Sequence, residues 1–360
     1  MAFAANPVAA LLVACGAAVL LDGCAAVGPP TLPRDRFDYV QAISDSWKRQ
    51  MLQNLVKIRY VDAPVFLDVT SVINAYSLDG NVSANGQVAL PGRGDYFAAM
   101  GAGIAYSDKP TITYTPLAGD KFARSLMTPL PISGVLYLLQ SGYPAGPVLR
   151  VCANSISGLD NSRGSRGDYS AGDPRFARLL EALSSAQTKD MIGIRQKSPK
   201  DKEAAAMYFR VPPGGDDGTI RTIRELLDLD PNAKEIEVAY GAFPTSRTEM
   251  AIVTRSTLQV MTEFASYIDV SAAETADGRV YTPPRSPDEL RLFPPLIHVH
   301  SGDAAPADSF ASVRYRNQWF WIDDRDVPSK TALNFLMLLF SLTETGTSQA
   351  GAPVVTVPAR

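Results

Sequence analysis

The sequence predicts an α+β protein with mixed sheets and packed helices, arranged as up to two subdomains behind an apolar leader. Three observations carry that expectation. Helix-patterned and strand-patterned segments follow one another in irregular order, not as regular strand–helix–strand winding. One segment, 38–60, keeps a helical apolar period over more than six turns. Near the carboxy end an aromatic strand runs into a charged turn and then an apolar helix, a strand-to-helix corner. A composition of 46% apolar and 20% charged residues belongs to a chain that folds around a core.

From Val8 to Leu21 the chain is almost wholly apolar, and its first charge is Asp22. A run of this length suits a signal-peptide core, about 7–15 residues, better than a membrane span of roughly 20. It ends in Leu21-Asp22-Gly23-Cys24, followed by Ala25-Ala26-Val27-Gly28-Pro29-Pro30. That arrangement resembles the signal of a bacterial lipoprotein. The resemblance implies cleavage before Cys24 and acylation of its thiol and new amino group. Several acyl chains would hold the protein on a membrane where one would not. Leu12-Val13-Ala14-Cys15 fits the same pattern, so Cys15 is the alternative processing site. Cutting there would leave a short leader and strand Ala17–Leu21 at the mature terminus. Ala25 in the second mature position resembles lipoproteins sorted to the outer membrane.

Residues 24–36 read as a short proline-marked tether. In the helix at 38–60, Val40, Ile43, Trp47, Met51, Leu55 and Ile58 form the stripe, with Lys48, Arg49, Lys57 and Arg59 off it. Pro64 ends it, and Val65–Ile73 reads as a strand continuing toward Tyr76. Asp79–Gly86 has turn composition. Tyr96–Tyr106, with Gly101-Ala102-Gly103 read as a bulge or close packing, and Thr111–Thr115 are two further strands. Short helices are expected at Gly119–Met127 and Ile132–Gln140, and Val148–Ala153 reads as a strand carrying Cys152.

The stretch Ser157–Asp173 reads as a loop. Helices are expected at 174–186, 219–229, 257–267 and 329–342. Strands are expected at 204–211, 235–240, 249–254, 296–300, 309–322 and 354–357, with a proline-rich loop at 282–295. The implied division is leader 1–23, tether 24–36, an amino-terminal α+β subdomain 37–156, a loop-rich seam 157–218 and a carboxy-terminal α+β subdomain 219–360.

Removing residues 1–23 from 360 leaves 337, enough for one large or two smaller cores. The formal charge of −3 falls to about −2 with the loss of Asp22, which gives no electrostatic case for nucleic acid. Of three cysteines, only Cys152 would remain unmodified in the mature chain, so no intramolecular disulfide is expected. A lone cysteine in an apolar run reads as a small buried hydrophobe.

The carboxy-end corner is Trp319-Phe320-Trp321-Ile322-Asp323-Asp324-Arg325-Asp326-Val327-Pro328-Ser329-Lys330. Its acids lack the alternating ligands and turn glycine of a calcium loop. A salt-bridged turn is the preferred reading, with Arg325 and Lys330 as partners and Asp326 or Ser329 at the helix start. Together with Arg36-Phe37-Asp38-Tyr39, Leu55-Val56-Lys57-Ile58-Arg59-Tyr60 and Pro353-Val354-Val355-Thr356-Val357-Pro358, this segment resembles a group of bacterial outer-membrane lipoproteins of no assigned activity. The resemblance implies class and location and carries no catalytic residue.

His298 and His300 stand two apart on an expected strand and so share a face. They are two candidate ligands for zinc or copper, with Asp303 a conceivable third; a partly exposed strand face is the preferred reading. No G-x-S-x-G, H-E-x-x-H or phosphate-binding glycine loop is present, and no cofactor is expected. The expected function is a lipid-anchored, periplasm-facing binding or assembly module at the outer membrane, held by the lipid on Cys24 and meeting an envelope protein partner. One alternative is an anchored hydrolase or metal protein using His298 and His300. Another is a transport accessory or sensor that takes a small ligand in a pocket at the seam.

Overall fold

The structure is a computed structural model that describes residues 32–73, 76–86, 98–108, 111–165, 167–196, 205–211, 215, 218–343 and 355–358. Cys15, Cys24 and the whole leader lie outside the described residues. The mixed order of elements gives an α+β fold, as the patterning predicts. No described helix is long and apolar enough to cross a membrane.

Two compact units are distinguished, one of residues 1–46, 67–116 and 349–360 and one of 47–66 and 117–348. Helix α1, Leu32–Arg59, contributes its first half to one and its second half to the other. It starts six residues before the expected helix and takes in the end of the tether. Pro33 in the first turn lacks only an N–H that would have no helical partner.

In the first unit, β1 (Phe66–Ile73) lies beside β4 (Thr111–Leu117), which also pairs antiparallel with the closing strand Val355–Pro358. Between them in sequence, β2 (Tyr76–Gly86) and β3 (Ala98–Asp108) form an antiparallel ribbon. The turn expected at 79–86 is therefore a strand. Its partner lies beyond any local window, and eleven cross-strand pairs outweigh the turn preference of Asp79, Gly80 and Asn81. The ladder passes Gly101-Ala102-Gly103 in unbroken register, so no bulge forms there.

The second unit holds the main core. It begins with Met51, Leu52, Leu55 and Val56 of α1, all under 5% exposed. The expected stripe is half right, since Val40 is 58% exposed. Helices α2 (Asp120–Met127), α3 (Ile132–Gln140) and α4 (Ala145–Cys152) follow. The segment read as the Cys152 strand is thus the end of a helix. A run of six apolar-rich residues does not separate strand from buried helix, and Pro144, at φ −63°, opens a helix here.

Strands β5 (Ala153–Ile156) and β6 (Leu159–Asp160) form a hairpin, and β7 (Arg163–Ser165) pairs with β8 (Asp168–Ser170). Helix α5 (Pro174–Thr188) starts on Asp173, whose carboxylate accepts the Arg175 amide at 2.8 Å. Then come β9 (Ile192–Gln196), β10 (Ala205–Phe209), α6 (Thr219–Leu226), β11 (Glu235–Tyr240) and β12 (Glu249–Thr254). The sheet order is β6-β5-β12-β11-β10-β9, with only β11 and β12 parallel. Segment 157–218 supplies three of these six strands, so it is built into the sheet instead of dividing two subdomains. Along β11, Glu235 and Glu237 are exposed while Ile236 and Val238 are buried, the alternation of a sheet covered on one face.

Helix α7 (Thr257–Ala265) opens on a capping box of Ser256 and Gln259. It is followed by α8 (Ala272–Ala276), α9 (Pro287–Leu292), β13 (His300–Gly302), β14 (Ser309–Tyr315), β15 (Gln318–Asp323) and α10 (Val327–Thr343). The three strands form a sheet in the order β13-β15-β14. What reads as one strand from 309 to 322 is a hairpin, turned by Arg316 in the left-handed region at φ 48° and by Asn317. Arg316 does not advertise a tight turn, and Asn317 is a lone turn residue inside an aromatic, strand-like run. Phe340 of α10 stacks on Phe66 at 4.5 Å, and Phe122 closes the cluster edge-on.

Candidate functional site

Three places in the second unit gather polar or accessible groups. The first is a buried knot of charge. Arg150 enters from α4, Glu263 and Tyr267 from α7 and its end, Arg255 from the turn before α7, and Arg285 and Glu289 from the α9 region. Glu263, 4% exposed, accepts the Gly164 amide at 2.7 Å, the Tyr267 hydroxyl at 2.8 Å and Arg285 at 3.3 Å. Arg255 donates to the carbonyls of Arg150, Val151 and Ser162. Burial lowers its pKa to about 10, which leaves it charged at neutral pH. Arg150 donates to Asn161 Oδ1, Ser162 Oγ and the Tyr267 hydroxyl. Tyr169 donates to Glu289 at 2.6 Å, and that bond pushes the phenol up to about 12. These bonds hold α4, α7, α9 and the 160s hairpin in register, while Arg150 Nε, Arg285 Nε and Glu289 Oε1 are buried without a hydrogen-bond partner. The knot is architecture.

Above its Arg150 edge lies the second feature, a groove of about 520 Å³. That volume falls within the range of ligand sites, roughly 300–1,000 Å³. Its walls are α4 (Val148, Val151), α5 (Ala177, Leu180), the Leu292–Leu296 segment and the first turns of α10 (Val327, Ala332, Phe335). Phe293 forms part of the wall and stacks against the Arg150 guanidinium, 5.1 Å from the ring centre. Three large apolar side chains remain unusually open at its rim, Tyr143 at 38%, Leu292 at 45% and Val327 at 63%. Exposed apolar groups gathered around one concavity mark a binding surface better than the same groups scattered. The expected seam contributes Ala177, Leu180 and Glu181 to this groove; the remaining walls come from both sides of it.

A second cavity, about 510 Å³, lies between α3 and the sheet residues Met207, Val238, Met250 and Ile252. Its glutamines serve the fold. Gln187 accepts the Ala145 amide and donates to the Tyr143 carbonyl, while Gln140 donates to the Ile194 carbonyl.

The third feature is the histidine pair. Ile268 and Val299 form a parallel bridge, and the Asp269 amide donates to the Val299 carbonyl at 2.9 Å. Val299 points inward and is fully buried, so His298 and His300 on either side of it both point outward, 53% and 33% exposed at the side chain. Their rings are 4.1 Å apart. Asp269 Oδ2 lies 3.3 Å from His298 Nε2 and 3.7 Å from His300 Nδ1. Asp303, the third residue expected from sequence, is exposed and stands outside this group; Asp269 takes the place. The expected strand 296–300 shrinks to a bridge at Val299 and a pairing from His300 onward, where His300 sits opposite Trp321 and stacks on it at 5.5 Å. Nothing local in the sequence marks Asp269, because a single long-range bridge brings it there.

The acidic corner is the salt-bridged turn that its sequence suggests. Lys330 Nζ contacts Asp324 at 2.8 Å, Arg325 contacts Asp308 at 3.1 Å, and the Asp323 carboxylate accepts the Arg325 amide. Asp326 caps α10, accepting the Ser329 amide at 3.0 Å and its hydroxyl at 2.6 Å. The Ser329 hydroxyl in turn accepts the backbone amide of His298 at 2.8 Å, so this serine is engaged as a structural link. Cys152 is fully buried, and desolvation pushes its thiol up to about 12, which keeps it protonated and unreactive. Sequence reasoning missed the Arg150–Glu263 knot, which assembles from segments more than 100 residues apart, and placed at the seam a pocket of which the seam supplies only the α5 wall.

No family model matches this chain, and no curated protein and no solved structure is significantly similar to it.

Proposed function

We propose that this chain is a lipid-anchored protein of the bacterial envelope, held at the outer membrane by acyl chains on Cys24, and that it works in the periplasm as a binding module. The observation that carries the binding half is the groove beside α4 and α10: apolar walls, ligand-sized volume and an open rim of Tyr143, Leu292 and Val327. The occupant its chemistry favours is an aliphatic chain, as on a lipid or a lipidated molecule, because almost every wall residue is apolar and the proposed anchor keeps the groove near lipid. The anchoring half rests on Leu21-Asp22-Gly23-Cys24 and Ala25.

The groove is tested by titrating cis-parinaric acid, a fluorescent fatty acid, into the purified chain. Saturable binding at one site is expected. Leu292→Glu with Val327→Glu should weaken it at least about tenfold, since a carboxylate set against an apolar chain loses hydration without a partner. Both positions are exposed enough to keep Tm unchanged. Absence of binding, or equal affinity in the double variant, would remove this reading.

A further inference from the structure

We propose that Asp269, His298 and His300 form a zinc site with one coordination position open to solvent. The proposal is independent of the groove and stands on three features of the cluster.

The first is spacing. Zinc takes nitrogen and oxygen ligands at about 2.0–2.2 Å, so two ligand atoms on a tetrahedral ion stand roughly 3.4 Å apart. Here Asp269 Oδ2 is 3.3 Å from one imidazole nitrogen and 3.7 Å from the other, and the three atoms lie within 4.8 Å of one another. The two carboxylate-to-imidazole separations are close to the distance that a bound ion requires.

The second is preorganisation. The two histidines are held on one outward face by the burial of Val299 between them, and Asp269 is tied to the same backbone by its own amide. His300 is also braced by stacking on Trp321, at an interplanar angle of 28°. A ring fixed in this way loses less rotational freedom on binding an ion than one on a loop.

The third is chemistry. Two imidazoles and one carboxylate form a borderline ligand set that suits zinc, copper or nickel better than calcium or magnesium, which prefer oxygen throughout. Both rings can be reached from solvent, with side chains 53% and 33% exposed. Three protein ligands leave a fourth position for water or for a group brought by a partner. The net charge of such a site, two neutral histidines and one carboxylate with a dication, is +1. It would therefore favour an anionic fourth ligand such as a carboxylate or phosphate oxygen.

The test is calorimetric titration of zinc chloride into the purified full-length chain in a non-chelating buffer, repeated with copper(II) while following tryptophan fluorescence. One zinc per chain is expected, with copper quenching the emission of Trp321 beside His300. His298→Gln with His300→Gln should lower zinc affinity by more than about tenfold, and Asp269→Asn by about tenfold or more. Asp303→Asn should leave it unchanged. All four residues are at least a third exposed at the side chain or lie on the surface, so circular dichroism melts should coincide with the parent. No zinc uptake by the parent, or uptake undiminished in the histidine double variant, would overturn the site.

Discussion

The buried charge knot and the surface histidine cluster are built from the same kinds of group, yet they are opposites. Around Glu263, a carboxylate, a phenol, guanidinium groups and a backbone amide face one another out of water, each with fixed partners. Around Asp269, a carboxylate and two imidazoles converge at the surface, with side chains 50%, 53% and 33% exposed. Burial turns charge into a structural fastener, because removing one partner leaves another charge buried and uncompensated. Exposure leaves the second cluster free to take a ligand and contributes little to stability. Accessibility, not charge, separates the two clusters.

The sharpest way to break the comparison is Glu263→Gln. It would leave Arg285 and Arg255 with less compensation in the interior, and a loss of about 3–5 kcal/mol in urea unfolding is expected. A loss under 1 kcal/mol would show that the knot is dispensable. Asn161→Ala comes next. Its side chain is wholly buried, donating to the Arg150 and Ala153 carbonyls and accepting from Arg150. Leaving those groups unpaired should cost about 1–3 kcal/mol.

Alkaline titration gives a smaller, graded effect. Cys152 rises from 9.0 to about 12 on burial, and Tyr169 from 10.0 to about 12 through its bond to Glu289. Acids whose folded pKa is raised contribute stability that is complete below the unfolded value and lost as pH rises through the folded one. Stability should therefore begin to decline from about pH 9, before Arg255, lowered to about 10, acts in the opposite sense, and Cys152→Ala should remove that early decline. A flat profile in the parent would contradict it. The smallest change belongs to the exposed cluster. His298→Gln should alter unfolding free energy by no more than about 0.5 kcal/mol, as expected for a surface position.

The contrast also explains what could be read from the sequence. Helices with strong signals at their ends were legible: Asp173 and Pro174 open α5, and Ser256 with Gln259 opens α7. At the corner, the Lys330–Asp324 pair and the Asp326 cap were legible because their partners lie within a few residues, whereas the Asp308 partner of Arg325, 17 residues away, was not. The outward pairing of His298 and His300 followed from period two alone. Asp269 did not, since it arrives through one bridge between distant segments. The helix ending in Cys152 was mistaken for a strand because buried helices and buried strands are both uniformly apolar when short. The β2 strand was hidden by turn residues, Gly80 and Asn81, whose preference gives way to a long ladder.

The proposed lipid at Cys24 would fix where the groove and the histidines act. Metabolic labelling with an alkyne palmitate analogue, followed by fractionation of envelopes, tests it directly. The parent chain should carry the label and sediment with outer membrane, while Cys24→Ser should lose the label and move to the soluble periplasm. Label that survives Cys24→Ser and disappears only with Cys15→Ser would contradict the assignment.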